Sequence, residues 1–229
     1  MSTVRSEVFL PVYVWELPVR IWHWVMALCM VVLAITGYLI GTPPPSIGGE
    51  AYDHFLFGYV RYLHFAAAYL FAVTFVWRVT GDFRGNRFSR EIFLVPLKMF
   101  SGEWWGGLID QVKYYLFLVP HARSYQGHNP LAMAGMFFMY VLGTIFMILT
   151  GFALYGEGLG TNSWAHAAFS SWVLPLLGYS QNVHTLHHLG MWYLILFTII
   201  HVYMVVREDI FSDETVISAM VSGWRVSKK

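Results

Sequence analysis

Histidines are the residues of this sequence whose type and spacing could do chemistry. The chain has ten, and four of them, His23, His64, His187 and His201, fall inside long apolar segments. An ionisable side chain inside a membrane segment is costly and is usually functional. Neutral imidazole is a ligand that suits iron, copper and zinc. These four histidines are therefore candidate metal ligands.

The spacing of the last cluster indicates which histidine is the ligand. His187 and His201 are 14 residues apart, close to four helical turns, so they share one helix face about 21 Å apart. His184 and His188 lie roughly 100° and 140° away from that face. The spacing favours His187, and the neighbouring histidines remain alternatives within the cluster.

The depths of the four histidines predict two pairs. His64 and His187 lie near the outer ends of their segments, and His23 and His201 lie near the inner ends. Two imidazoles at one depth, on facing helices, can hold one planar iron macrocycle between them. Zinc would normally add thiolates or carboxylates in tetrahedral geometry, and no Asp or Glu occurs at these depths. We therefore predict two non-covalent b haems with bis-histidine ligation, His64 with His187 and His23 with His201.

Four segments are long and apolar enough to position these ligands across a bilayer. Because only a helix satisfies its own backbone groups in hydrocarbon, the sequence predicts an all-α integral membrane protein, a four-helix transmembrane bundle forming a single domain over residues 1–229. A short apolar stretch and the long inner loop are predicted to form interfacial helices. A tail helix is expected to open near Ser212 or Asp213. The predicted spans are residues 21–40, 58–78, 131–155 and 186–206, and the short apolar stretch is residues 164–177.

Composition excludes several classes of protein. Of 229 residues, 57% are hydrophobic and only 12% are charged, with a mean hydropathy of +0.54. A soluble globule could not bury so much apolar surface, so we do not expect a soluble enzyme or a nucleic-acid binder. The single cysteine, Cys29, rules out an intrachain disulfide, a CxxCH haem attachment and ligation of an iron–sulfur cluster by four thiolates.

The basic residues predict the orientation in the membrane. Of the 14 Lys and Arg residues, all but Arg61 lie before the first span, between the second and third spans, or after the fourth. By the positive-inside rule, both termini and the loop over residues 78–129 are cytoplasmic. The protein is thus predicted to be a multi-pass protein of the bacterial inner (cytoplasmic) membrane, in contact with lipid.

Two arginines accompany candidate ligands at the same spacing. Arg20 precedes His23 by three residues, and Arg61 precedes His64 by three. Residues three apart share a helix face, so each arginine lies toward water from its histidine, where a haem propionate would emerge. The alternative for both is an arginine that extends to water from the end of a helix.

The sequence resembles the cytochrome b subunit of membrane-bound nickel–iron uptake hydrogenases, over nearly its whole length. The related formate dehydrogenase gamma subunits share the four-span plan but resemble the chain less. The family's haem ligands fall on His23, His64, His187 and His201. The segments that carry the resemblance are residues 18–24 (PVRIWHW), 127–130 (GHNP), 187–192 (HHLGMW), 201–203 (HVY) and 207–210 (REDI).

The resemblance implies a role in electron transfer. A periplasmic hydrogenase oxidises hydrogen, and its small subunit, which adds a C-terminal transmembrane helix and binds the large subunit, delivers electrons to the outer haem. The inner haem then reduces a quinone. We predict His128 and Asn129, at the inner mouth of the third span, as hydrogen-bond donors to the quinone. Alternatively, Asn129 and Pro130 simply start a helix.

Other functions remain open at this point. The partner could be a formate dehydrogenase, or the chain could be a membrane anchor without an essential haem relay. The histidine cluster could also serve a metal transporter or an intramembrane metalloenzyme. In none of these cases can nickel or iron–sulfur chemistry reside in this chain, because it lacks the thiolates.

Overall fold

The computed structural model describes residues 9–45, 51–82, 84–121, 123, 125–211 and 215–228. It is predominantly helical, with one pair of short strands among the described residues. In chain order the elements are β1 (Phe9–Tyr13), α1 (Leu17–Gly41), a 3₁₀ turn (Ala51–Asp53), α2 (Leu56–Asp82), α3 (Val95–Lys98), α4 (Gly102–Tyr115), α5 (Pro130–Gly135), a π-helical segment (Met136–Val141), α6 (Leu142–Leu159), a second π-helical segment (His166–Ser170), α7 (Ser171–Leu176), α8 (Ser180–Phe211), α9 (Val216–Ser222) and β2 (Trp224–Lys228).

All four predicted spans are confirmed as long apolar helices. They are Leu17–Gly41, Leu56–Gly81, Pro130–Leu159 and Ser180–Phe211, with mean hydropathies of 1.4 to 2.2. Each helix is longer than predicted because helical backbone hydrogen bonding continues past the ends of the stretch that hydropathy delimits. The chain is therefore a multi-pass helical membrane protein.

The third span contains a feature that the sequence did not predict. Pro130 occupies the first turn, and the Asn129 side chain caps it by accepting a hydrogen bond from the Ala132 amide at 2.7 Å. After α5 the chain widens into the π-helical turn Met136–Val141 before α6 begins. Such turns are uncommon inside α-helices and frequently occur at functional sites.

Residues outside the spans also form the expected helices. The inner loop contains α3 and α4, and the predicted helix over residues 164–177 is present as the second π-helical segment followed by α7. Their position at the membrane interface remains a prediction. The tail helix is α9, which begins at Val216. Its predicted start, near Ser212 or Asp213, lies outside the described residues.

The strand pair joins the two ends of the chain. β1 and β2 are antiparallel, in a register that pairs Tyr13 with Trp224 and Phe9 with Lys228. Gly223 precedes β2 with a φ of +89°, and its carbonyl accepts the amides of Val14 and Trp15 at 2.9 and 3.1 Å. A side chain at this position would also collide with the Trp15 carbonyl. The turn thus requires glycine.

By their contacts, the residues divide into two compact units. The first comprises Met1–His23, Arg78–Val141 and Thr198–Lys229, and the second comprises Trp24–Trp77 and Leu142–Phe197. The first unit has a core of Val14, Trp15, Val19, Phe88 and Ala219. His23 and His201 belong to the first unit, and His64 and His187 belong to the second, so each predicted ligand pair falls within one unit.

Candidate functional site: two histidine pairs

The second unit holds His64 and His187 in two matching arrangements. His64, on α2, is hydrogen-bonded through Nδ1 to Oγ1 of Thr36, on α1, at 2.8 Å. His187, on α8, is hydrogen-bonded through Nδ1 to Oγ1 of Thr150, on α6, also at 2.8 Å. Both threonines are buried. The same bond therefore fixes one nitrogen of each ring.

The threonine hydroxyls define the direction of these bonds. Thr36 Oγ1 donates to the Val32 carbonyl at 2.7 Å, and Thr150 Oγ1 donates to the Phe146 carbonyl at 2.8 Å. A hydroxyl has one proton and two lone pairs. Because the proton is used within the helix, the oxygen accepts from the imidazole, so Nδ1 carries the hydrogen and the Nε2 lone pair is available to a metal.

A glycine follows each threonine and lets the ring approach its helix. A Cβ on Gly37 would lie 3.3 Å from His64 Cε1 and 3.6 Å from Met191 Sδ, and a Cβ on Gly151 would lie 3.1 Å from His187 Cε1. Met191 lies one turn from His187 on α8. His64 and His187 are also near enough to interact electrostatically. Four helices thus meet at this pair. α2 and α8 carry the histidines, and α1 and α6 each contribute a threonine followed by a glycine.

The other two histidines of the cluster are differently placed. His184 is exposed, and its Nδ1 lies 3.1 Å from the Ser180 carbonyl one turn earlier in the same helix. The Nε2 of His188 accepts a hydrogen bond from Trp192 Nε1 at 3.1 Å. His187 differs from both, because its Nδ1 is hydrogen-bonded to the hydroxyl of Thr150 on a neighbouring helix. Local geometry therefore favours His187 as the ligand.

The first unit holds the second pair. The rings of His23, on α1, and His201, on α8, have centroids 6.4 Å apart with an angle of 48° between their planes. An imidazole nitrogen binds a transition metal at about 2 Å, so two rings on opposite sides of one metal have centroids roughly 6.3 Å apart. The observed separation fits a pair of axial ligands to one iron.

The two predicted propionate partners have different surroundings. The Arg20 guanidinium donates to the backbone carbonyl of Val221, in α9. Arg61 is exposed near the start of α2. The propionate role remains a prediction for both.

A third arginine, Arg78, was not identified from the sequence as part of a site. It is 6% exposed, and its guanidinium lies 4.8 Å from the Trp22 ring centroid and donates to the Ser89 carbonyl at 2.8 Å. Trp22 directly precedes His23 in α1, so this buried cation packs against the turn of the helix that carries one histidine of the first-unit pair. An arginine inside an apolar segment is the sequence signal that would have identified it.

His128 has a carboxylate partner, Glu91. The Glu91 Oε2 accepts from the His128 backbone amide at 2.9 Å and lies 3.3 Å from Nδ1. The opposite side of the ring packs on Trp15, with centroids 4.9 Å apart. Gly127 permits this approach, since a Cβ there would collide with the Glu91 carboxylate, and Arg225 donates to the Gly127 carbonyl at 2.8 Å. Loop and tail together fix the His128 side chain.

Asn129 combines two contacts. Its side-chain oxygen is the cap of α5, as the alternative interpretation of the sequence predicted, and its Nδ2 lies 3.5 Å from the Tyr115 hydroxyl. Tyr115 in turn lies 3.5 Å from a carboxylate oxygen of Glu208. Burial, together with the negative charge of Glu208, raises the pKa of Tyr115, so this phenol keeps its proton at physiological pH.

The groups that hold the histidines, namely Thr36, Thr150 and Glu91, were not predicted from the sequence. One signal for two of them was present. The dipeptide Thr-Gly occurs at residues 36–37 and 150–151, in the first and third spans, and also at residues 80–81, at the end of the second span. Small and hydroxylated residues in membrane helices commonly mark helix contacts. The dipeptide does not reveal which histidine faces it, because the rotation of each helix is not encoded in one segment.

Comparison with known proteins yields one family. The sequence profile of the prokaryotic cytochrome b561 family matches residues 14–223. Relatives from Azotobacter vinelandii and Cupriavidus necator are both described as a probable Ni/Fe-hydrogenase B-type cytochrome subunit. The chain is 54% identical to that of Azotobacter vinelandii over 217 residues, 95% of this chain and 89% of the relative. It is 52% identical to that of Cupriavidus necator over 216 residues, 94% of this chain and 87% of the relative.

The relative from Escherichia coli K12, described as the probable Ni/Fe-hydrogenase 1 B-type cytochrome subunit, is 46% identical over 228 residues. That alignment covers 98% of this chain and 94% of the relative. The matched residues 14–223 therefore contain all four spans.

Proposed function

The chain belongs to the prokaryotic cytochrome b561 family, and on that premise we propose that it is the b-type cytochrome subunit of a membrane-bound nickel–iron hydrogenase. In this role it anchors the hydrogenase and carries electrons from the periplasmic small subunit, through two b haems, to the quinone pool. The names of its relatives support the hydrogenase partner. Hydrogen oxidation itself belongs to the partner, since one cysteine cannot supply a nickel or iron–sulfur site.

The observation that carries the proposal is the arrangement of the four histidines in two pairs. His23 and His201 have the ring separation that two axial ligands of one iron require. His64 and His187 each present Nε2 because a threonine accepts from Nδ1. A haem held by such pairs supplies one-electron chemistry by cycling between ferric and ferrous iron. This chain's own residues hold the ligand rings, as Thr36 and Thr150 hold those of His64 and His187.

The quinone end of the proposed route lies beside His128 and Asn129. His128 is fixed between Glu91 and Trp15, and Asn129 lies beside a protonated phenol. These groups can donate hydrogen bonds to a carbonyl and replace the proton from the cytoplasmic side. Quinone reduction there, with hydrogen oxidised in the periplasm, moves charge across the membrane, worth roughly 2.3 kcal/mol per charge per 100 mV.

The test is to purify the chain with its partner from gently solubilised membranes. We expect hydrogenase subunits to co-purify, hydrogen to reduce two b haems per chain, and added quinone to reoxidise them. His23→Ala and His64→Ala should each remove one haem and stop quinone reduction. Reduction of the haems by formate in place of hydrogen would identify a formate dehydrogenase partner and overturn the assignment.

The same preparation tests the anchor hypothesis. If the complex assembles and reduces quinone at the wild-type rate after both histidine changes, the chain is an anchor and the haem relay is wrong. Bound zinc or manganese without a haem spectrum would instead support the transporter or metalloenzyme alternative.

A further inference from the structure

We propose that Thr36 and Thr150 are positioning residues that set the tautomer and the electron-donating strength of His64 and His187. This inference rests on the proposed function, because it takes these two histidines as the axial ligands of one haem. No direct contact between either threonine and the haem is needed. Their effect passes through the imidazole ring, from Nδ1 to Nε2.

Burial makes the threonine oxygen the natural acceptor for the imidazole N–H. Thr36 is 4% exposed and Thr150 is 1% exposed, so water does not compete for either bond. Each 2.8 Å contact satisfies an imidazole N–H that would otherwise be desolvated without a partner. Leaving such a group unsatisfied costs about 1–3 kcal/mol. The tautomer with hydrogen on Nδ1 is therefore the stable one at both histidines.

The backbone of each threonine's own helix orients its hydroxyl. The bonds from Thr36 to Val32 and from Thr150 to Phe146 run from the side chain to the carbonyl four residues earlier. Threonine and serine make this bond readily inside helices. The β-branched side chain of threonine also restricts χ1. The acceptor lone pair consequently points at the histidine before any metal binds.

The arrangement is duplicated, which argues that it serves the histidines and not only the packing of one helix pair. In both copies a threonine accepts from the histidine and the next residue is a glycine beneath the same ring, Gly37 below His64 and Gly151 below His187. The first copy joins α1 to α2, and the second joins α6 to α8. Each histidine of the pair thus has its own threonine hydroxyl and its own glycine, which leaves space for the ring.

The chemical consequence has a definite sign. A hydrogen bond from Nδ1–H makes the imidazole a more basic ligand, and partners of this kind typically change metal affinity by about 10–100-fold. A stronger donor favours ferric over ferrous iron, which lowers the midpoint potential of the haem. Removal of one threonine hydroxyl should therefore raise the potential of that haem and weaken its binding.

The experiment compares Thr36→Val and Thr150→Val with Thr36→Ser and Thr150→Ser in the complex purified from membranes. Valine keeps the branched shape and removes the oxygen, whereas serine keeps the oxygen. Thr74→Val is the matched control, because Thr74 is also buried in this unit, on the helix that carries His64. If a valine variant does not assemble, the corresponding alanine variant removes the hydroxyl without replacing its bulk and is measured in its place.

Three measurements are made on each variant: haem per chain, the midpoint potential of each haem by redox titration, and the electron paramagnetic resonance spectrum of the ferric state. We expect one haem component to shift to higher potential in each valine variant, with altered g values, while the other component stays unchanged. Haem affinity at that site should fall about 10–100-fold. Serine should restore the wild-type potential, and Thr74→Val should match the wild type.

Two results separate failure of this inference from failure of the proposed function. If His64→Ala and His187→Ala retain the wild-type haem content, these histidines are not ligands and the proposed function is wrong at this pair. If the histidine variants lose one haem while the valine variants keep wild-type potentials and spectra, the ligands are correct and the role of the threonines is wrong.

Discussion

The imidazole rings of His23 and His201 lie with their centroids 6.4 Å apart, at a relative tilt of 48°. Two imidazoles on opposite sides of one metal would have centroids roughly 6.3 Å apart, so this separation is consistent with the proposed ligand pair. The two residues come from the first and last long helices, so the pair also joins the two ends of the sequence within one unit.

The first prediction concerns this pair. His201→Ala should remove one of the two b haems and leave the other, because an iron with one remaining axial ligand binds weakly. The reduced-minus-oxidised spectrum of the purified complex measures this as loss of one component. His184→Ala is the matched control, since His184 is exposed and its ring is hydrogen-bonded to Ser180 in its own helix, and it should keep both components.

The second prediction separates the adjacent histidines. His187→Ala should abolish the haem component that His64→Ala abolishes, because the two residues are proposed as ligands of one iron. His188→Ala should keep full haem content, since its Nε2 is occupied by Trp192. Pyridine haemochrome analysis per chain is the measurement. A haem lost from His188→Ala and kept in His187→Ala would reverse the assignment within the cluster.

The third prediction uses glycine. A methyl group at Gly151 would lie 3.1 Å from His187 Cε1, so Gly151→Ala should displace the ring and reduce haem content at that pair. Gly158→Ala, in the same helix, meets nothing within 4 Å and should be neutral or stabilising by about 0.5–1 kcal/mol. Equal haem content and equal thermal stability in both variants would contradict the tight approach.

The fourth prediction addresses the quinone end. Glu91→Gln removes the charge that holds His128 at two points, and a hydrogen bond to a charged group is worth about 1.5–3 kcal/mol. Hydrogen-dependent quinone reduction should fall about tenfold or more, while haem content and reduction of an artificial dye by the hydrogenase stay unchanged. Glu103→Gln, which alters an exposed ion pair with Arg123, is the control. Equal rates of quinone reduction in both variants would show that Glu91 has no role in quinone reduction.

Much of this architecture follows from the sequence because membrane spans are encoded locally. About 20 apolar residues predict a span wherever they occur, and the spacing of His187 and His201 places them on one helix face without any knowledge of the neighbouring helices. The pairing of His23 with His201 followed from depth alone, and the ring separation is consistent with it.

The contacts of the site were less predictable because they depend on how helices rotate against one another. Thr36 and His64 lie on different helices, and nothing in either segment specifies that they face each other. The strands β1 and β2 pair the two ends of the chain, and such pairings have little signal in short segments. The π-helical turn in the third span is a local widening that hydropathy does not detect.

The most direct test of the central claim is the number of b haems per chain in the intact complex, measured with His23→Ala and His64→Ala beside the wild type. The account predicts two haems in the wild type and one in each variant, with different spectral components lost. Two haems in both variants, or loss of the same component from both, would contradict the assignment of one haem to each histidine pair.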